Sequence, residues 1–465
     1  MVSLYASLAA LSLFVGDALA AASLPPKPAD LTTPVQQRIA VNGPNAISVA
    51  WNTYKQLTKP CVNYGTSADS LSLQACSSRS VTYPSSRTWS NSVALTGLQP
   101  ATTYYYKIES TNSSPARRWR QDPFSINAII DLGVYGQDGY TIKGDLSKRD
   151  TIPYIPLRST TPPSTTVDDY EFVIHPGDLG YADDWILRPK NLFHGKDAFQ
   201  AILETFYDQL APIAGRKPYM ASPGNHEAAC QEVPHTTGLC PAGQKNFTDF
   251  MNRFGGSFMP TAFSSTSGDS AAKVNANKAR QLANPPFWFS FEYGMAHVRP
   301  FGAPNQQLQF LEADLASVDR TVTPWVIVAG HRPWYSTGGE GCKPCQAAFE
   351  GIMYKHGVDL GVFGHVHNSQ RFVPVFNNTA DPAGMTDPKA PMYIVAGGAG
   401  NIEGLSAVGA NVSYNAFAYD ADFSYATIRF LDTQNLQVDF YRSSTGELLD
   451  SSKLFKSHKD QFVSQ

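Results

Sequence analysis

Five short motifs, most of them set just behind a short apolar run, constrain this chain more than any other feature. They are Asp131-Leu132-Gly133, Gly177-Asp178-Leu179-Gly180-Tyr181, Gly224-Asn225-His226-Glu227, Val328-Ala329-Gly330-His331 and Gly364-His365-Val366-His367. Ile126 to Ile130, Phe172 to Ile174, Trp325 to Ala329 and Leu360 to Phe363 read as buried strands. Phe199, Ile202, Leu203, Phe206, Leu210 and Ile213 recur at helical spacing, and Gly215 ends that helix. Leu308, Leu311, Leu315 and Val318 mark a second helix, and Ala347 to His356 a third. Met392 to Ala396, Tyr425 to Leu431 and Leu436 to Tyr441 continue as strands. Strands alternating with helices predict an α/β arrangement, in which sites form at the carboxyl ends of strands.

The motifs hold a donor set. Two carboxylates, one amide oxygen, one phenol and three imidazoles are more than one tetrahedral metal site uses. They suit two metals with a shared carboxylate, an arrangement that clamps the attacking and leaving oxygens of a phosphate ester. Singly, each residue has an ordinary structural reading: Asp178 and Tyr181 in a turn, Asn225 as a cap, His331 as a satisfied core histidine. Five motifs, each placed at a strand end, outweigh those readings taken one at a time.

Residues 31–122 have a different, all-β texture. Ile47-Ser48-Val49-Ala50-Trp51 alternates as a half-buried strand does, and Val81 to Tyr83 and Ser92 to Leu95 are further short strands. Leu98-Gln99-Pro100-Ala101-Thr102-Thr103-Tyr104 resembles the tyrosine corner of fibronectin type III sandwiches, with Trp51 as the core tryptophan. Val134 to Tyr170, rich in Gly, Pro and Thr, reads as a long loop. Residues 1–20 read as a secretory signal peptide: Leu4 to Val15 is apolar or small and Ala18-Leu19-Ala20 is a small-x-small cleavage site. No second apolar spanning run follows, and the tail around Lys459-Asp460-Gln461 is polar, so neither a membrane anchor nor a GPI signal is expected. In an exported chain six cysteines read as disulfides, and sequence neighbours suggest Cys61–Cys76, Cys230–Cys240 and Cys342–Cys345. Asn112, Asn246, Asn377 and Asn411 open glycosylation sequons. With 36 basic against 39 acidic side chains there is no nucleic-acid footprint.

The set D-x-G, G-D-x-x-Y, G-N-H-[DE], V-x-x-H and G-H-x-H resembles the purple acid phosphatases, within the calcineurin-like metallophosphoesterases. The resemblance covers nearly all of the chain beyond the leader, and the large fungal type is the nearest in kind. It implies a fibronectin type III-like β-sandwich over 31–122. It also implies an α/β (α+β) metallophosphoesterase domain over 124–465, a two-sheet β-sandwich flanked by helices. Carried over by motif, Asp131, Asp178, Tyr181 and His367 would bind Fe(III). Asn225, His331 and His365 would bind one divalent metal (Zn, Fe or Mn), with Asp178 bridging. Other metallophosphoesterases usually have D-x-H, whereas Gly133 here has no donor and Tyr181 takes that place. His226 matches the acid that protonates the leaving group. The implied reaction is hydrolysis of phosphate monoesters to orthophosphate by a secreted enzyme with a hydroxide nucleophile. A dimetal phosphodiesterase or nucleotidase, and a non-catalytic secreted binding protein, remain the alternatives. The substrate within the monoesters stays open, and a homo-oligomer is compatible with the chain.

Some residues depart from that pattern. Plant relatives carry a further histidine soon after the V-x-x-H motif, but here the loop reads Ser336-Thr337-Gly338-Gly339-Glu340. His175, His194, His235, His356 and His458 are expected at the surface or in loops, and His297 in a structural role. Trp185 and Trp334 are candidates for either the cleft rim or the core. Finally, Arg299-Pro300 follows His297-Val298 directly, where relatives continue the strand and then a long loop. The expectation is a strand cut short at Pro300 and a scaffold weakened by the missing residues.

Overall fold

The computed structural model describes residues 23–100, 102–109, 114–118, 123–134, 170–187, 191, 196–228, 240–258, 261–262, 271–301 and 306–459. The leader, most of the Val134 to Tyr170 segment, Asn112, Cys230, His194 and His235 lie outside these residues.

The first half is two antiparallel four-stranded sheets. One has the order Val35–Val41, Ile47–Thr53, Trp89–Leu95, Ser80–Val81; the other runs Leu73–Cys76, Cys61–Gly65, Thr103–Ile108, Ser114–Arg118. Between them Trp51, Val49, Val62, Val93, Leu95, Leu98 and Ile108 form a buried core. The Tyr104 hydroxyl accepts a hydrogen bond from the Gln99 N–H at 3.1 Å, which closes the tyrosine corner over the turn at Pro100.

The second half packs two sheets against each other. The six-stranded sheet orders Tyr219–Ser222, Tyr170–Pro176, Phe124–Ala128, Ser424–Phe430, Asn435–Arg442 and Leu448–Phe455. Its first three strands are parallel and the rest antiparallel. In the eight-stranded sheet, Ala296–Phe301, Trp325–Gly330, Leu360–Phe363 and Met392–Ala396 run parallel to one another. Ile126, Phe172, Ala426 and Ile428 of one sheet share a core cluster with Val298, Ile327, Leu360 and Ile394 of the other. These strands are buried on both faces, so they read as continuous apolar runs rather than alternating ones. The helix Lys196–Ala214 lies against the first half, held by an Arg87–Glu204 ion pair. Tyr106 donates its hydroxyl to the Gly215 carbonyl. An isolated bridge, Ile39 with Pro218, joins the first half to the chain entering Tyr219–Ser222. The sandwich therefore braces the strand that delivers Asn225 and His226.

The expected truncation at Pro300 is not what the backbone does. The strand runs Ala296–Phe301 and pairs with Trp325–Gly330 through Pro300↔Ala329 and Phe301↔Gly330. Its antiparallel neighbour on the other side ends opposite Val298. From Arg299 onward the strand is paired on one side only, and a residue without an N–H is tolerated at such an edge.

Two of the expected disulfides are present, Cys61–Cys76 and Cys342–Cys345. Cys240 is also disulfide-bonded. Asn246, Asn377 and Asn411 are exposed. Among the described residues no helix is long and apolar enough to cross a membrane.

Candidate metal centre

Each motif emerges from the carboxyl end of a buried strand. Phe124–Ala128 leads to Asp131, Tyr170–Pro176 to Asp178, Tyr219–Ser222 to Asn225, Trp325–Gly330 to His331 and Leu360–Phe363 to His365. The turns are tight. Asp131 (φ 60°), Asp178 (φ 60°), Tyr181 (φ 51°) and His365 (φ 67°) all hold left-handed backbone. Such strain in non-glycine residues persists only where surrounding structure imposes it, and it clusters at functional sites. Gly224 allows the closest approach among the motif glycines: a Cβ there would lie 2.1 Å from the Asp178 Oδ1.

The seven candidate ligands converge. Asp131, Asp178 and His367 form one group whose donor atoms lie within 4.8 Å of one another, and Asp178, His331 and His365 form a second. Asp178 belongs to both. The Tyr181 hydroxyl is 2.8 Å from His367 Nε2 and 3.5 Å from Asp178 Oδ2, which places it with the first group. Asn225 Oδ1 is 2.7 Å from His331 Nε2, which places it with the second. His331 Nε2 is also 3.0 Å from Asp178 Oδ2.

The outer contacts select tautomers. His331 donates Nδ1–H to the Pro176 carbonyl at 3.2 Å, and His367 donates Nδ1–H to the Gly404 carbonyl at 3.2 Å. Both leave the Nε2 lone pair turned inward, as a metal-ligating histidine requires. Burial, with smaller contributions from neighbours, lowers the pKa of His365 to about 3 and of His367 to about 4, so both imidazoles are neutral donors. Burial and then the Asp178 charge push Asp131 well above the ordinary carboxylate range. Burial also opposes the Asp178 charge, but His331 and His226 outweigh it and hold that carboxyl low.

Asp131 supplies the test of fit for metal. It is fully buried, and among the described residues neither carboxylate oxygen has a hydrogen-bond partner. Buried polar groups are almost always satisfied, and two orphan oxygens facing a second carboxylate and a neutral imidazole match a cation site. The donor set of carboxylates, phenol, amide oxygen and imidazoles is a fit to one hard and one borderline cation.

Several residues at the site have no role in the sequence reading. Asp183 accepts from His226 Nδ1–H at 2.9 and 3.0 Å, turning Nε2 toward the centre, 3.9 Å from Asp178 Oδ2. Burial alone would lower the His226 pKa, but Asp183 and Asp178 reverse that and hold it well above the usual value. Glu227 accepts from the N–H groups of Asp178, Leu179 and Gly224 at 2.7–2.9 Å and so ties two motif loops together. Glu403 lies 4.0 Å from His226 Nε2 and 3.7 Å from His367 Nδ1. Arg332 donates to His365 Nε2 at 2.9 Å. Of these, Glu227 closes the third motif and Asp183 and Arg332 stand just past the second and fourth, and position alone marked them. A cleft of about 250 Å³, lined by Asn225, His226, Glu340, His365, His367 and Glu403 among others, opens over the centre.

Two expectations are corrected. His175 is fully buried, not at the surface: the strand extends to Pro176, and the ring meets the Tyr219 hydroxyl at 2.6 Å and the Asp178 carbonyl at 3.1 Å. His356 is buried against Glu312 at 3.0 Å. Of the two places open to Trp185 and Trp334, the structure gives the core, where both are buried. His297, paired with Asp314 at 2.9 Å in full burial, is structural as expected.

Comparison with known proteins decides the family. Residues 34–122 match the family described as purple acid phosphatase, N-terminal domain; residues 140–369 match calcineurin-like phosphoesterase; residues 390–451 match iron/zinc purple acid phosphatase-like protein C. The chain is 58% identical to acid phosphatase A of Cryphonectria parasitica, over 100% of both chains. The chain belongs to the purple acid phosphatase family. That alignment runs over 505 positions against 465 here, so about 40 positions of the relative have no counterpart in this purple acid phosphatase sequence. A nucleotide pyrophosphatase/phosphodiesterase of Hordeum vulgare is 26% identical over 76% of this chain and 92% of its own. A purple acid phosphatase from yellow lupin seeds shares the fold, with a TM-score of 0.67 and 22% identity over 91% of this chain and 75% of that one. This chain is thus an enzyme of the acid phosphatase family with a phosphoesterase domain and a candidate dimetal centre.

Proposed function

We propose that this purple acid phosphatase is a secreted enzyme that hydrolyses phosphate monoesters to orthophosphate at a dinuclear Fe(III)–M(II) centre. The observation that carries the reading is the pair of donor groups sharing Asp178. Asp131, Asp178, Tyr181 and His367 would hold the ferric ion, for which a phenolate is a hard anionic donor. Asp178, Asn225, His331 and His365 would hold Zn, Fe or Mn in the divalent state. When bound, the two cations would supply Lewis acidity, lowering the pKa of water so that hydroxide can attack and neutralising charge on the phosphoryl oxygens.

The chain's own part lies in the proton and the fit. His226, held protonated by Asp183 and Asp178, presents Nε2–H to the leaving oxygen. The proton passes to the departing alkoxide, the alcohol leaves, and Asp183 keeps the neutral ring in the tautomer that can be reprotonated at Nε2. Disulfides and exposed sequon asparagines support export.

The test is the iron and zinc or manganese content of the purified chain together with its visible spectrum. Tyr181→Phe removes the charge-transfer band while some metal stays bound, because only the phenolate oxygen is lost. A full band in that variant takes Tyr181 out of the iron shell. The barley relative's name keeps a phosphodiesterase reading in view. Faster turnover of bis-p-nitrophenyl phosphate than of p-nitrophenyl phosphate would favour it.

A further inference from the structure

The loop after His331, Ser336 to Glu340, has no histidine, lysine or arginine. Among the described residues that line the cleft there is no Lys or Arg, while Glu340 and Glu403 are both there. The guanidinium of Arg332, one residue beyond the candidate ligand His331, is at hand. It is exposed, and its Nη1 donates to the Nε2 of His365, which itself lines the cleft.

That bond uses the imidazole lone pair. A neutral imidazole has one such lone pair, so His365 cannot give it to the divalent cation and to Arg332 at once. A guanidinium released there presents five N–H donors in a planar fork and no acceptor. It also stays beside the cleft, because its backbone is pinned between His331 and the buried Pro333. The group that enters the cleft with a matching charge and geometry is the phosphoryl dianion, which the planar fork of an arginine binds through two parallel N–H···O bonds.

We propose that Arg332 is a substrate-binding residue of this enzyme: it exchanges its bond to His365 for the phosphoryl oxygens of the ester and of product orthophosphate when the centre is loaded. The inference rests on the phosphomonoesterase reading and names the cation that stands in for the missing loop histidine. Arg332 makes the contact in ground and transition states alike, so its loss acts first on affinity.

The experiment is calorimetric titration of the metal-loaded full chain with inorganic phosphate, beside metal content and steady-state kinetics on p-nitrophenyl phosphate. R332Q is expected to weaken orthophosphate binding roughly 10- to 100-fold, the usual worth of a charge-assisted hydrogen bond. KM should rise in parallel and both metals should remain. R332K, which keeps the charge but not the fork, should recover part of the loss. Phosphate affinity within about twofold of the native value in R332Q overturns the proposal. So does loss of a metal in R332Q in step with the loss of phosphate binding, since Arg332 would then act through His365. A native chain that binds phosphate in an Arg332-dependent way but turns over no monoester supports the anion site and sinks the phosphatase reading. Turnover with Arg332-independent phosphate binding does the reverse.

Discussion

Asp178→Ala strips metal from both halves of the centre and lowers kcat on p-nitrophenyl phosphate by about 10³-fold or more. Lewis-acid stabilisation of a phosphoryl transition state is worth several kcal/mol, and each 1.4 kcal/mol or so is tenfold in rate. The size of the effect follows from position. Asp178 is the residue common to both donor groups, with Oδ2 3.0 Å from His331 Nε2. Its Oδ1 also accepts the His226 N–H at 3.0 Å, so its loss frees the general acid as well. Asp131 belongs to one group only, and Asp131→Ala should retain one metal per chain where Asp178→Ala retains none. Metal content by elemental analysis, read beside a thermal melt to show that the chain is folded, checks the contrast. Full occupancy of both metals in folded Asp178→Ala would remove the bridging role.

His226→Ala is expected to cut kcat on alkyl phosphates by roughly 10²–10⁴, the worth of a positioned general acid. Aryl phosphates with good leaving groups need less protonation and should lose less. The structure adds a graded companion. Asp183→Asn keeps the shape but not the charge that holds His226 protonated, so it should show the same leaving-group dependence with a smaller amplitude. The measurement is a plot of log kcat against leaving-group pKa for the native enzyme and both variants. Parallel lines for native and His226→Ala would end the acid assignment.

Much of the fold was legible because of how the parallel strands are buried. Phe172–Ile174, Trp325–Ala329 and Leu360–Phe363 are apolar without alternation, and the structure covers both faces of each. The tyrosine corner was legible because its geometry is local: Gln99 and Tyr104 are five residues apart. The edge strand Leu448–Phe455 was missed, since most of its side chains are exposed or half-buried and carry no apolar period. Pro300 was misread because its tolerance depends on where a neighbouring strand stops, at Val298. His175 was misread because the polar face of its strand turned out to be inside, where Tyr219 and the Asp178 carbonyl satisfy the ring.

The sequence by itself determined the donor inventory and its order along the chain. Apolar periodicity reports burial, and a motif directly behind a buried run must emerge at a strand end. Glycines beside those donors mark turns in which backbones approach closely. Only the tertiary structure decided which donors meet. Asp178 stands in both groups because three parallel strands of one sheet and two of the other end at the same edge. It also decided the tautomers, through the carbonyls of Pro176 and Gly404, and the partners Asp183, Glu227 and Arg332. The reason is physical: a hydrogen bond's direction depends on where remote backbone segments lie to a few tenths of an ångström. Local propensity and spacing carry no record of that placement, whereas packed strands impose it.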